Sequence, residues 1–159
     1  MALHFSESEL AARRERAVAL MQKRGLDGLL MFRQESMYYL TGYDTFGYVF
    51  FQCLYLGADG RMMLLTRAPD LRQAENTSDI KDIRIWIDAP LADPSTELRE
   101  YLRTFGLAGK TLGVEWEAYG LTARNGMRVQ AGFEGFADLQ GASDLVSRLR
   151  LVECAAEIC

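Results

Sequence analysis

The chain has 159 residues, the size of one ordinary domain, and its 49% hydrophobic and 25% charged residues exclude a disordered tail or a fibrous repeat. A domain of this length buries about two-thirds of the surface its unfolded chain exposes, so it needs no disulfide staples. With 18 Lys+Arg against 22 Asp+Glu the net charge is −4, which predicts neither a nucleic-acid groove nor a polybasic membrane anchor.

The first residues have no basic start followed by an apolar stretch, so no secretory signal is expected. Ser6 caps a first helix, Glu9 completes a capping box, Phe5 staples onto Leu10, and Gly25 supplies a left-handed stop. The basic cluster Arg13, Arg14, Arg16, Lys23 and Arg24 is interspersed with Glu7, Glu9 and Glu15 and reads as a solvated helix face. Residues 28–32 form a continuous apolar run, as expected for a strand covered on both faces. Residues 36–42 read as one helical turn ending at Gly42. Residues 48–56, the turn 57–60 and residues 61–66 form the best hairpin in the chain. The longest apolar run lies here and falls far short of the ~20 residues a membrane helix needs.

A helix opens around Ala68 and Pro69. Ile83, Ile85 and Ile87 alternate with Arg84 and Trp86 in a strand with one more polar face. Asp93 and Pro94 start the next helix, with Leu98, Leu102 and Phe105 inward and Gly106 at its end. Residues 112–116 form a strand, 122–129 a helix, 134–137 a short strand and 143–149 a last helix. The alternation predicts a single three-layer α/β domain. Its mixed sheet of about six strands is parallel apart from the hairpin, with helices on both faces.

Chemistry-bearing groups are few. His4 is the single histidine and no C-x-x-C occurs, so no metal site and no Ser/Cys–His pair is expected in this chain. Cys53, Cys154 and Cys159 read as free thiols in a reducing cytoplasm, Cys53 as a buried inert one and His4 as a surface residue. Gly109-Lys110-Thr111 matches the end of a P-loop. However, the segment 104–111 follows a helix and opens a strand, so it reads as a helix C-cap and loop. Glu115 and Glu117, flanking Trp116 at a strand end, read as solvent-facing charges rather than an acid/base pair. Asp44 lies among Tyr43, Phe46 and Tyr48 between Gly42 and Gly47; these aromatics either pack under the hairpin or form a contact surface.

Tyr38-Tyr39-Leu40-Thr41-Gly42-Tyr43 resembles the N-x-x-Y-L-T-G signature of the creatinase/aminopeptidase P/prolidase N-terminal domain. The hairpin, the Leu64-Leu65-Thr66-Arg67 strand end and the Gly113-Val114-Glu115 strand fall where that family has them. Residues 149–158 resemble its L-R-x-x-K-S-x-x-E-I junction, which opens the first helix of a catalytic "pita-bread" domain. Met37 and Glu153-Cys154 depart from the pattern, at positions expected to be exposed.

The resemblance implies an N-terminal domain over residues 1–149 and, from 150 to 159, the start of the linker to a catalytic domain. It implies a parent Xaa-Pro peptidase or related C–N hydrolase using two divalent ions (manganese, cobalt or zinc) held in that second domain. This chain would then hold no catalytic residue and no cofactor. It would support a cytoplasmic homodimer, pack on its own catalytic domain and help wall the partner subunit's active site around a peptide or small-amide substrate. Tyr43, Asp44, Phe46 and Tyr48 are the residues implied to contact substrate or partner. No nucleic acid or membrane is expected. A stand-alone oligomerisation or ligand-binding module is the alternative. A flavodoxin-like nucleotide binder ranks below both, because Arg33-Gln34-Glu35-Ser36 stands where a glycine-rich phosphate loop would follow the first strand.

Overall fold

A computed structural model describes residues 3–158, leaving aside the side chains of Tyr48 and of residues 153–158. The junction motif at Glu153-Cys154 and the thiols of Cys154 and Cys159 lie outside the described residues.

Helix α1 (Glu7–Lys23) starts where expected, with Ser6 Oγ accepting from the Glu9 N–H at 3.2 Å, and its chain reverses at Gly25, φ +70°. Strand β1 (Gly28–Met31) follows, then α2 (Gln34–Thr41), a full eight residues closed by Gly42 in the left-handed conformation. Strands β2 (Cys53–Gly57) and β3 (Met62–Arg67) form the hairpin, with Leu54 opposite Leu64. The chain continues through α3 (Leu71–Thr77), β4 (Ile83–Trp86), α4 (Pro94–Thr104), β5 (Thr111–Val114), α5 (Ala123–Phe133), β6 (Asp138–Gly141) and α6 (Leu145–Ile158).

The six strands lie in the order β4-β3-β2-β1-β5-β6, and β2 alone runs against the rest. The central strands β1 and β2 are buried at every residue, which is why each reads as an unbroken apolar run. On one face Ala17 and Met21 of α1, Met37 and Leu40 of α2, Ala74 of α3 and Leu145 and Val146 of α6 cover the sheet. On the other, Leu98 and Leu102 of α4 and Val129 and Phe133 of α5 cover it. These are the three layers of the predicted α/β domain.

Several details differ from expectation. The strand expected from residue 48 begins only at Cys53, because Gly47–Val49 turn as a 3₁₀ helix. Helix α5 runs four residues past 129, so 134–137 is a turn through Gly135, φ +74°, and β6 follows it. On β4 the inward residue is Trp86, whose Nε1 donates to the Phe51 carbonyl at 2.9 Å, while Ile87 is 75% exposed. Met37 is fully buried rather than exposed.

The basic face of α1 is not simply solvated. Arg13 is buried between the rings of Phe5 and Tyr39 and donates to the Tyr39 carbonyl. Arg14 donates to the Leu40 carbonyl and pairs with Asp79. Two cations thus serve the last carbonyls of α2, where a helix has orphan acceptors and the negative end of its dipole.

Candidate functional site

Five strands share one direction, so their carboxyl ends share one edge of the sheet, where open α/β sheets form their sites. Two features stand on that edge.

The first surrounds Glu115, directly after β5. Its N–H continues the pairing onto the Leu30 carbonyl, which carries its side chain inward beneath the β1–α2 turn. Glu115 is fully buried, correcting the expectation of a solvent-facing charge. One oxygen accepts from the Phe32 and Arg33 amides, both at 3.1 Å, and the other from Ser36 Oγ at 2.6 Å. A carboxylate from beyond another strand therefore holds the two amides that lead into α2 and the Ser36 hydroxyl of its first turn, where the helix has no side-chain cap of its own.

Burial pushes the Glu115 carboxyl up to about 7, against the lowering pull of Ser36, of Arg33 and of the Phe32 amide. Burial, then the charge of Glu115, pushes the Cys53 thiol well above its ordinary range, as fits an inert buried thiol. Glu117, by contrast, is exposed.

Beside it, Arg33 fans out to three carriers. Its Nε donates to the Glu117 carbonyl at 2.6 Å, and one terminal nitrogen donates to the Ser143 carbonyl and Ser147 Oγ, both at 2.9 Å. Arg33 thus ties the β1–α2 turn to the start of α6. Arg33, Trp116, Glu117, Tyr119 and Arg150 border an open hollow of about 520 Å³.

The second feature is the loop after α2, which holds the four residues expected to contact substrate or partner. The Asp44 amide donates to Thr77 Oγ1 at 3.0 Å. Thr45 Oγ1 donates to Asp70 at 3.2 Å, and the Asp70 carboxylate lies where a Cβ on Gly47 would stand. Arg67 lies 3.5 Å from the Phe50 ring centre and pairs with Asp70. Tyr43 is fully buried and donates to Gln52 Oε1 at 2.8 Å; it underpins the loop rather than facing outward. Asp44 is exposed, Phe46 is 87% exposed, and the side chain of Tyr48 lies outside the described residues. So the structure holds Asp44 and Phe46 together at the surface over a fixed base.

His4 is exposed and hydrogen-bonds the Tyr38 hydroxyl through Nδ1 at 2.6 Å. The 104–111 segment is a helix end and loop, with Gly106 and Gly109 at positive φ. Among the described residues no group of three or more His, Cys, Asp or Glu could hold a metal ion, and no helix is long and apolar enough to cross a membrane. Sequence reasoning missed Glu115. The available signal was the strand before it: one buried at both faces offers no solvent side to a residue at its end.

The Creatinase/Prolidase N-terminal domain family model matches residues 13–152. Among curated proteins, the "uncharacterized hydrolase/peptidase" y4tM of Sinorhizobium fredii is 29% identical over 163 residues, 98% of this chain and 41% of that protein. The ectoine hydrolase of Halomonas elongata is 27% identical over 167 residues, 99% of this chain and 41% of that protein. The chain therefore spans about two-fifths of the length of these relatives. Among solved structures, an Xaa-Pro aminopeptidase from Streptococcus pyogenes superposes with a TM-score of 0.72 at 22% identity, covering 91% of this chain and 99% of that one. The N-terminal domain of the cytoplasmic peptidase PepQ from Mycobacterium tuberculosis gives 0.69 at 24% identity, covering 87% and 98%. At these identities the two structures speak for the fold.

Proposed function

Because the chain belongs to the creatinase/prolidase N-terminal domain family, we propose that it is the noncatalytic N-terminal domain of a metal-dependent hydrolase of C–N bonds in peptides or small amides. The observation that carries this reading is one of extent. The family match runs along residues 13–152, while the hydrolase and peptidase relatives are more than twice as long. An Xaa-Pro dipeptide is the first substrate to try, given the named activities of the structural relatives, and a small cyclic substrate the second, given the ectoine hydrolase.

In this reading two divalent ions are held by residues of the catalytic domain. The described residues here offer no set that fits them, so no chemical step is assigned to this chain. Its part is to recognise and enclose. Asp44 is an exposed carboxylate able to attract the free amino group of a substrate, and Phe46 is an aromatic able to exclude water from the neighbouring subunit's active site. The protein works as a cytoplasmic homodimer.

Two measurements test this. The 159-residue chain, supplied with manganese, is expected to leave an Xaa-Pro dipeptide intact; turnover would overturn the assignment. In the protein that carries the catalytic domain, Asp44→Ala is expected to raise KM for a dipeptide several-fold with little change in kcat, and an unchanged KM would remove Asp44 from the reading.

A further inference from the structure

Strand β6 ends the sheet beyond β5, so among the described residues one of its two edges has no strand beside it. The Asp138 amide donates to the Lys110 carbonyl and the Ala142 amide to the Val114 carbonyl, both on the β5 side. Backbone direction alternates along a strand, which turns the N–H and C=O of Leu139 and Gly141 to the open side. A hollow of about 610 Å³ borders Asp138 and Leu139 there. Its other wall is the end of α5, where Met127, Gln130, Ala131 and Glu134 recur at helical spacing along one stripe. Met127 is 71% exposed, and Leu139 packs against the core that α5 covers. The ionisable residues bordering the hollow, Glu134 and Asp138, are both acidic, exposed and without an ion pair among the described residues.

We propose that this edge receives an extended basic segment of another protein, which adds to the sheet as a seventh strand beside β6. The open backbone groups supply the pairing, and the hollow takes the side chains that fall on the α5 side. Alternation also fixes the pattern of the segment. Leu139 lies on the α5 face, so Asp138 lies on the opposite one. An added strand therefore sets apolar residues level with Leu139 and basic residues level with Asp138. The same charges argue against a second copy of this chain. Laying β6 on β6 brings Asp138 and Glu134 against their own kind, and like charges across a strand pair are destabilising. Neither a catalytic domain nor the loop carrying Asp44 takes part.

Titration of the 159-residue chain with a peptide of about eight residues in which valine and lysine alternate, followed by NMR amide exchange, tests the proposal. The expected result is saturable binding in the micromolar to millimolar range, with slower exchange at the Leu139 and Gly141 amides. The double variant Glu134→Lys/Asp138→Lys is expected to weaken binding roughly tenfold or more. Gly141→Pro removes an outward donor and no bond to β5, and is expected to weaken it comparably. A Cβ at Gly141 meets only Trp116 Cδ1, at 3.9 Å, and unchanged circular dichroism shows that each variant is folded. A peptide of the same composition with its lysines and valines in separate blocks is expected to bind roughly tenfold more weakly. Absence of binding, equal binding of the two peptides, or binding that leaves β6 exchange unaltered or survives both variants would overturn the proposal. So would slowed β6 exchange on raising the chain concentration alone, which gives the edge to a second copy. Failure of the peptide to bind the protein that carries the catalytic domain gives the edge to that domain, with the same consequence. None of these results touches the hydrolase-domain reading, which the turnover assay decides.

Discussion

Glu115 holds its charge in the interior on two backbone amides and one hydroxyl, and those bonds do not offset the loss of water. Its pKa of about 7 in the folded chain lies above the ordinary 4.5, so folding favours the protonated form. The stability this contributes is complete below about pH 4.5 and is lost as pH rises through 7. The geometry suits the proton: on the oxygen facing Ser36 it is donated to Oγ, while the other oxygen keeps both amides. Glu115→Gln reproduces that pattern without titrating, its carbonyl on the amides and its NH2 on Ser36. Urea unfolding at pH 5 and pH 8 is therefore expected to show the Gln variant gaining roughly 2–3 kcal/mol on the native chain over that interval. A difference that does not change with pH would mean that Glu115 is ionised throughout.

Only its place directly after a buried strand distinguishes Glu115 from the exposed Glu117 two residues on. Burial here comes from the β1–α2 turn closing over the strand end, a contact more than 80 positions away in sequence. Met37 was misjudged for the same reason, because α2 is short and its faces are assigned by α1 and α6 rather than by its own period.

Helix α2 shows how an element too short to persist alone is held by others. Glu115 accepts from the amide of its N-cap residue Arg33, Arg13 and Arg14 reach its last carbonyls, and Gly42 ends it at φ +80°. A Cβ on Gly42 would stand 2.9 Å from the Thr77 carbonyl, whereas one on Gly25, φ +70°, would meet nothing within 4 Å. Gly25→Ala is expected to cost about 1–2 kcal/mol from the left-handed backbone alone. Gly42→Ala adds the collision, and the loop carrying Asp44 moves with it. Thermal unfolding of the two variants side by side separates these contributions, and equal losses would dismiss the Thr77 contact.

Capping boxes, glycine stops and apolar runs made α1, β1, the hairpin and α4 legible in the sequence. The roles of Arg13 and Arg14 were not, since both also donate to carbonyls of α2, which no residue type advertises.

Across the whole molecule, the order of elements was enough to give the layers and the mixed sheet. The end of the fold was harder to read. Leu145 and Val146 of α6 are fully buried with α1 and α2, so the last helix completes the core before it leaves it. Leu145→Ala is expected to cost about 2–4 kcal/mol in urea unfolding of this chain, the range for a buried leucine. A loss below 1 kcal/mol would mean that α6 is an appendage. The aromatic corner was half legible. Its composition was plain, but whether the rings packed beneath the hairpin or faced outward depended on Asp70 and Thr77, which anchor the loop from another part of the chain.

The guanidinium of Arg33 has a consequence for how such proteins diversify. It fastens the departing helix to the β1–β5 side, while the aromatic corner is built on β2, β3 and β4. The two features thus occupy separate halves of the sheet, so substitutions in the loop carrying Asp44 and Phe46 can accumulate without disturbing the bonds that hold the start of α6 to the β1–α2 turn.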